Sequence, residues 1–292
     1  IQNIASLMHS GISNSSALDE IKKGVEELIS DPIVPFGEQE GQLCFFSEKL
    51  NDIEQERATL PLRAVELRRI QNEALKEAYS PLPATQLHGS LSVPTGLKAQ
   101  TSNGLPVSLS GDRNTIQTIV EIVDPKEYEN TKVRLVDESR HKTAQYQIFL
   151  FGRSTPEMED LVGEIYRCRE IVNKYRTEPD QEVKEYCNGQ IDRANRLMGD
   201  LERLIKRSLL QGSFIFRGEI TAVESLNQDL LDSAKKHIES VAKQVFDRYA
   251  EAPVRAGTDL AEKFLRLGNL SGVTTQTDPL GLVQSQGSTH TI

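Results

Sequence analysis

Tyr146-Gln-Ile-Phe-Leu-Phe-Gly-Arg-Ser-Thr-Pro-Glu157 carries the chain from one kind of structure into another. Ile148, Phe149, Leu150 and Phe151 follow one another with no polar alternation, the pattern of a strand buried on both faces. Ser154 offers a hydroxyl N-cap, Pro156 has the fixed φ of a first helical turn, and Glu157 suits the positive end of a helix. A strand therefore gives way abruptly to a helix.

Working upstream, Ile116, Ile119, Val120, Ile122 and Val123 make a second strand, and Val133, Leu135 and Val136 read as a third. With the glycines and β-branched residues from Leu87 onward, they define a small β-rich domain over 84–153. Working downstream, Met158, Leu161, Ile165, Cys168, Val172 and Tyr175 alternate spacings of three and four, an apolar seam. Thr177-Glu178-Pro179-Asp180 interrupts it. Cys187, Ile191, Ala194, Met198, Leu201, Ile205 and Ser208 then repeat the pattern, which predicts a long antiparallel helical hairpin over 154–211.

The ends of the chain are read in the same way. Leu18, Ile21, Val25 and Leu28 give a helix from Ala17 to Ser30, preceded by a short apolar helix from Ile1 to Met8. Ile33–Phe36 and Gln42–Ser47 flank the glycine-bounded turn Gly37 to Gly41, so 1–47 reads as a winged-helix-like block. A charged helical connector covers 48–83, broken by Pro61 and closed by Pro81 and Pro83. Beyond the hairpin, 212–269 holds the strand Ser213 to Gly218 and C-terminal helices, one from Leu226 to Tyr249 and one around Leu260 to Leu267; 270–292 is a Gly/Ser/Thr/Gln linker or tail. The expected fold class is α+β, mainly helical.

Composition limits function. The 292 residues include 43 Asp and Glu against 34 Lys and Arg, a net charge of -9 that opposes sequence-blind binding of nucleic acid or anionic membrane. Any nucleic-acid contact must be local. Three cysteines, Cys44, Cys168 and Cys187, have no metal-ligand spacing and read as buried thiols in a reducing compartment. The chain opens on Ile1, lacks a leader pattern and has no apolar run long enough to cross a bilayer. The expectation is an interior piece of a larger cytoplasmic protein.

The chemistry-bearing motifs are mostly absent. No Gly-Lys dipeptide occurs, so a phosphate-cradling P-loop is missing, and neither His-Glu-x-x-His, Cys-x-x-Cys nor Gly-x-Ser-x-Gly is present. His9, His88, His141, His237 and His290 are scattered and read as solvated or capping imidazoles. Asp180, Glu182 and Lys184 resemble part of a metal-dependent nuclease site, but they fall in the first turns of a helix and read as its acidic cap. Arg57, Arg63, Arg68 and Arg69, and Arg203, Lys206 and Arg207, read as solvated helix faces. No catalytic, cofactor-binding or metal-binding residue is nominated, and a non-enzymatic binding region is expected.

Phe214-Ile-Phe-Arg-Gly218, Val245-Phe-Asp-Arg-Tyr-Ala-Glu-Ala252, Asp259-Leu-Ala-Glu-Lys-Phe264 and Asp278-Pro-Leu-Gly-Leu-Val283 together resemble the large P-loop protein of BREX bacteriophage-defence systems, the BrxC/PglY type. In that family the ATPase motifs lie upstream, so the resemblance implies a region following the ATPase core. It implies that ATP and Mg belong to the parent protein and not to this stretch. It also implies other phage-defence proteins as partners. Self-association is a further option, while the charge balance and the lack of a long apolar run leave DNA contact weak and membrane contact unexpected. No catalytic residue carries over. The alternative is a structural coiled-coil adaptor from an unrelated chromosome-associated or AAA+ protein.

Overall fold

A computed structural model describes residues 18–30, 34, 36–39, 42–45, 47–87, 91–101, 104–248, 284–286 and 289–291. The chain divides into two compact units, each drawn from separated stretches of sequence. One comprises 1–74 with 156–202, the other 75–155 with 203–292.

The first unit is helical. Helix α1 (Leu18–Ser30) turns Val25 inward and leaves Leu28 exposed, and β1 (Phe36–Gln39) pairs with β2 (Gln42–Phe45) in a hairpin whose innermost pair is Gln39↔Gln42. Helix α2 (Glu48–Thr59) is capped by the Ser47 hydroxyl, which accepts from Leu50 N. It is followed by α3 (Ala64–Ala78), then, after the sheet strands, by α5 (Pro156–Tyr175) and α6 (Gln181–Leu210). Leu50 and Ile53 of α2 pack with Ile171 of α5 and with Val183, Tyr186 and Cys187 of α6.

The second unit is built on a mixed seven-stranded sheet. β3 (Ala84–Leu87), β4 (Leu91–Ala99), β6 (Ile116–Val123), β7 (Gln147–Arg153), β8 (Ser213–Phe216) and β9 (Glu219–Ala222) follow in that order, with β5 (Val107–Ser110) also paired to β4. β4, β6 and β7 are parallel; the outer pairings are antiparallel. Helix α4 (Tyr128–Ser139) connects β6 to β7 as a βαβ unit. Ile119, Val123, Phe149, Phe151 and Ile215 share one face of the sheet, where they pack on Tyr128 and Leu135 of α4. Ile148, Leu150 and Phe214 face the other way, and there α7 (Leu230–Val245) stacks His237 on Phe214 with ring centroids 4.5 Å apart. The end of α6 also meets this sheet: Ser208 Oγ donates to Arg153 O at 2.6 Å, and a Cβ on Gly152 would lie 2.8 Å from Ser208 O. Among the described residues, no helix is long and apolar enough to cross a membrane.

This architecture corrects the expected fold class. The strand read at Val133, Leu135 and Val136 is helix α4, because the buried positions are Tyr128, Thr131, Leu135 and Ser139, a helical period. The β-rich domain does not stand by itself: β8 and β9 join its sheet, and α4 lies within it. The long antiparallel hairpin over 154–211 is not formed. Of its two seams, Val172, Tyr175 and Cys187 pack with Leu50 and Ile53 of α2, and α6 passes at Arg203 into the unit that holds the sheet. The winged-helix-like block is represented by one helix and one hairpin; the helix read at Ile1 to Met8 lies outside the described residues, as does the C-terminal helix around Leu260 to Leu267. Of the stretch read as tail, β10 (Gln284–Gln286) and β11 (Thr289–Thr291) form a two-stranded ladder.

His237 is 8% exposed and its Nε2 has no hydrogen-bond partner. Burial pushes its pKa down to about 4. An unfolded histidine titrates at about 6.5, so as pH falls the unfolded chain takes up the proton first, and stability complete above that value is lost between there and about 4. The loss should be of order 3 kcal/mol. Thermal melting from about pH 7 to about pH 5 should show a falling Tm that is flattened in His237→Leu; equal slopes in the two proteins would show that another group is responsible.

Candidate functional site

Glu54 and Arg57 lie one turn apart on α2, and Leu50, Ile53 and Arg57 occupy the buried side of that helix. Helical period therefore aims Arg57 inward, where it is 5% exposed. Its Nε and Nη2 donate to Glu54 Oε1 at 2.8 and 2.6 Å, and its Nη1 donates to Glu164 Oε2 at 2.8 Å. Glu164, on α5, also accepts from Arg167 Nη1 at 2.6 Å and from Arg193 Nη2, on α6, at 3.2 Å. The Tyr186 hydroxyl donates to the remaining oxygen of Glu54. Three helices are thus joined by one half-buried ion network centred on the buried Arg57.

The electrostatics follow from this pairing. Burial works against the charge of Arg57, but Glu54 and Glu164 outweigh it and hold the guanidinium more firmly protonated than usual. Burial likewise opposes ionisation of Glu164, yet Arg57, then Arg167 and Arg193, keep its carboxyl below the ordinary range. Tyr186 is pushed up by burial and by Glu54. Next to the network, Cys168 Sγ donates to Gln190 Oε1 at 3.1 Å, and burial raises its thiol, as it does that of Cys187. Neither thiol is poised as a nucleophile.

A cleft of about 480 Å3 opens over the network. Its polar side holds Glu54, Arg57, Glu164 and Arg193, two cations against two anions, with Asn51, Gln55 and Thr59; its apolar side is formed by Ile29, Val34 and Phe36. Phe36 lies against Phe45 with centroids 5.2 Å apart, and Phe45 is 76% exposed. The arrangement can grip a side chain or short segment by shape and apolar contact. It holds no free acid-base pair.

The other residues noted in the sequence are dispersed. Asp180 caps α6, accepting from Glu182 N at 2.9 Å, and Lys49 binds both Glu178 and Asp180 at 2.9 and 3.0 Å. Hydrogen bonding from Lys49 lowers the pKa of Asp180. Arg63, Arg68, Arg69 and Arg207 are exposed, whereas Arg57 departs from the solvated face on which it was expected. His141 is exposed, His237 is buried, and His9 and His88 lie outside the described residues. Among the described residues, no group of three or more His, Cys, Asp or Glu could hold a metal ion. The residues between β6 and α4 do not fit a nucleotide phosphate: Asp124 occupies that turn and its own carboxylate takes up Lys126 N. No family model, curated protein or solved structure matches this chain.

Replacing Arg57 by Ala leaves Glu54 and Glu164 half-buried without their main counter-ion, and it should cost about 3 kcal/mol. Arg57→Lys should rescue little, because an ammonium cannot bridge both carboxylates with the same fork. A urea denaturation midpoint unchanged in Arg57→Ala would show that the network contributes nothing to the fold.

Proposed function

We infer that this chain is a binding and assembly region and not a catalytic centre, and that the cleft with its Phe36 and Phe45 rim is the surface that takes a protein partner. The observation that carries this reading is the self-neutralised polar side of the cleft set against an exposed aromatic rim. A catalytic pocket needs a group whose ionisation is poised near neutrality, whereas Glu54, Arg57 and Glu164 are committed to one another. A protein interface needs apolar anchors with a satisfied polar surround, which is what this surface offers. Its charge also disfavours DNA: α1 sets Lys22 and Lys23 against Asp19, Glu20, Glu26 and Glu27.

The narrower reading, an assembly region of a BREX-type phage-defence ATPase, is supported by the sequence resemblance of Phe214 to Gly218 and the three motifs that follow it. On that reading the partners are other proteins of the same defence complex, with ATP and Mg handled by the parent protein elsewhere.

Co-expression with the other proteins of a BREX-type defence system, followed by size-exclusion chromatography, is the direct test. Co-elution lost in Phe45→Asp, with an unchanged melting curve, is the expected result; co-elution that survives Phe45→Asp would remove the rim from the interface. Calorimetric titration with Mg-ATP should give no binding, and micromolar affinity would overturn the non-catalytic assignment.

A further inference from the structure

The sheet unit carries a basic corner that the interactions described above do not use. Helix α4 ends at Ser139, and Arg140, His141 and Lys142 follow in succession, all exposed. None of the three forms an ion pair among the described residues. The β8–β9 turn brings Arg217 to the same place. Gly218 N donates to Ser139 Oγ at 2.8 Å, a Cβ on Gly218 would stand 2.6 Å from Arg140 Nε, and Arg217 Nη2 donates to Gln145 O at 3.4 Å. Tyr146, 39% exposed, closes the same connection. No acid occurs from Ser139 to Tyr146 or from Ser213 to Gly218; of the acids that flank these stretches, Glu138 is paired with Arg134 and Glu219 is exposed.

Cations just beyond a helix C-terminus complement its dipole, which accounts for Arg140 and Lys142. It does not account for Arg217, which comes from a different pair of strands. Arg217 has φ 50 and Gly218 φ 85, the left-handed pair of a two-residue hairpin turn in which Asn-Gly is the usual choice. An arginine held in that backbone state is strained. Its two bonds to main-chain carbonyls, of Gln145 and Gln244, are both long at 3.4 Å, its guanidinium lies over the Phe216 ring 4.9 Å from the centroid, and the residue is exposed. The corner therefore presents two guanidinium forks, an ammonium and an imidazole beside an aromatic ring, on a chain whose net charge of -9 would repel a polyanion elsewhere.

We propose that this corner binds the phosphodiester backbone of a nucleic acid. Arg140, Lys142 and Arg217 meet successive phosphates, and the Tyr146 ring is placed to stack on an unpaired base. Because the favourable field is confined to one corner, the contact is short and strongly salt-dependent.

Fluorescence anisotropy of the whole 292-residue chain with a labelled oligonucleotide, single-stranded in one arm and duplex in the other, tests this at about 50 mM salt. Binding by the wild type should weaken about tenfold in Arg140→Ala/Lys142→Ala, and the slope of log affinity against log salt should fall by about 1.5. Lys22→Ala/Lys23→Ala should bind as wild type. A single-strand preference removed by Tyr146→Ala identifies the unpaired form as the ligand, and equal binding of both forms identifies the backbone alone. Absence of binding in both arms, unchanged binding by the Arg140/Lys142 double variant, or capture by anionic vesicles without binding to either oligonucleotide would overturn the proposal. Melting curves of the variants, whose altered side chains are exposed, exclude unfolding as the cause of a loss.

Discussion

Burial of β7 on both faces is the constraint from which the sheet unit follows. Ile148, Phe149, Leu150 and Phe151 are all essentially inaccessible, and a pleated strand sends alternate side chains to opposite sides. Neither face can be left to water, since each apolar side chain of this size gains about 1.5–3 kcal/mol on burial. Helix α4 meets one demand through Tyr128 and Leu135. On the other side, the Phe214 beside Leu150 is covered by His237 of α7. The sheet face that α7 serves is also the place where polar groups are least well met: the Tyr79 hydroxyl, driven up in pKa by burial, has Thr118 as its polar neighbour at a geometry short of a full hydrogen bond.

The helical unit solves a different problem. Its apolar contacts among Leu50, Ile53, Ile171 and Val183 are flanked by a buried arginine, and removal of a guanidinium from water costs more than one neutral contact can return. Two carboxylates and three donated hydrogen bonds offset that cost. What such a network adds is geometric definition, because Arg57 satisfies Glu54 and Glu164 together in only one arrangement of α2 and α5. Lys49 with Asp180, Arg169 with Glu73, and Tyr175 with Glu56 repeat the device nearer the surface, where each contact contributes less.

The sequence announced some of this and concealed the rest for definite reasons. The strands at Ile116–Val123 and Gln147–Arg153 and the helix start at Pro156 were legible because apolar runs and capping residues are local signals. Helix α4 was misread because Val133 is 71% exposed, so the apolar cluster Val133, Leu135 and Val136 mixes both faces of a helix and imitates a strand. The joining of β8 to β7 was invisible, since pairing between distant segments leaves no periodic trace. Arg57 could have been found: it continues the Leu50 and Ile53 stripe, and a charge on an apolar stripe implies a partner. Which acids would answer it could not be read, because Glu164 arrives from a helix far along the chain.

The neighbours β7 and β8 are adjacent in the sheet, yet α5 and α6 lie between them in the chain. Their pairing closes a long loop, whereas β6, α4 and β7 can assemble from one continuous stretch. Loop closure over that separation is entropically slow, and contact order sets folding rate more than stability. A nascent chain can therefore complete its parallel strands while the edge of β7 is still bare, and both α5 and α6 must emerge before β8 arrives to cover it. That interval, and not the finished structure, is when this sheet is open to pairing with the wrong chain.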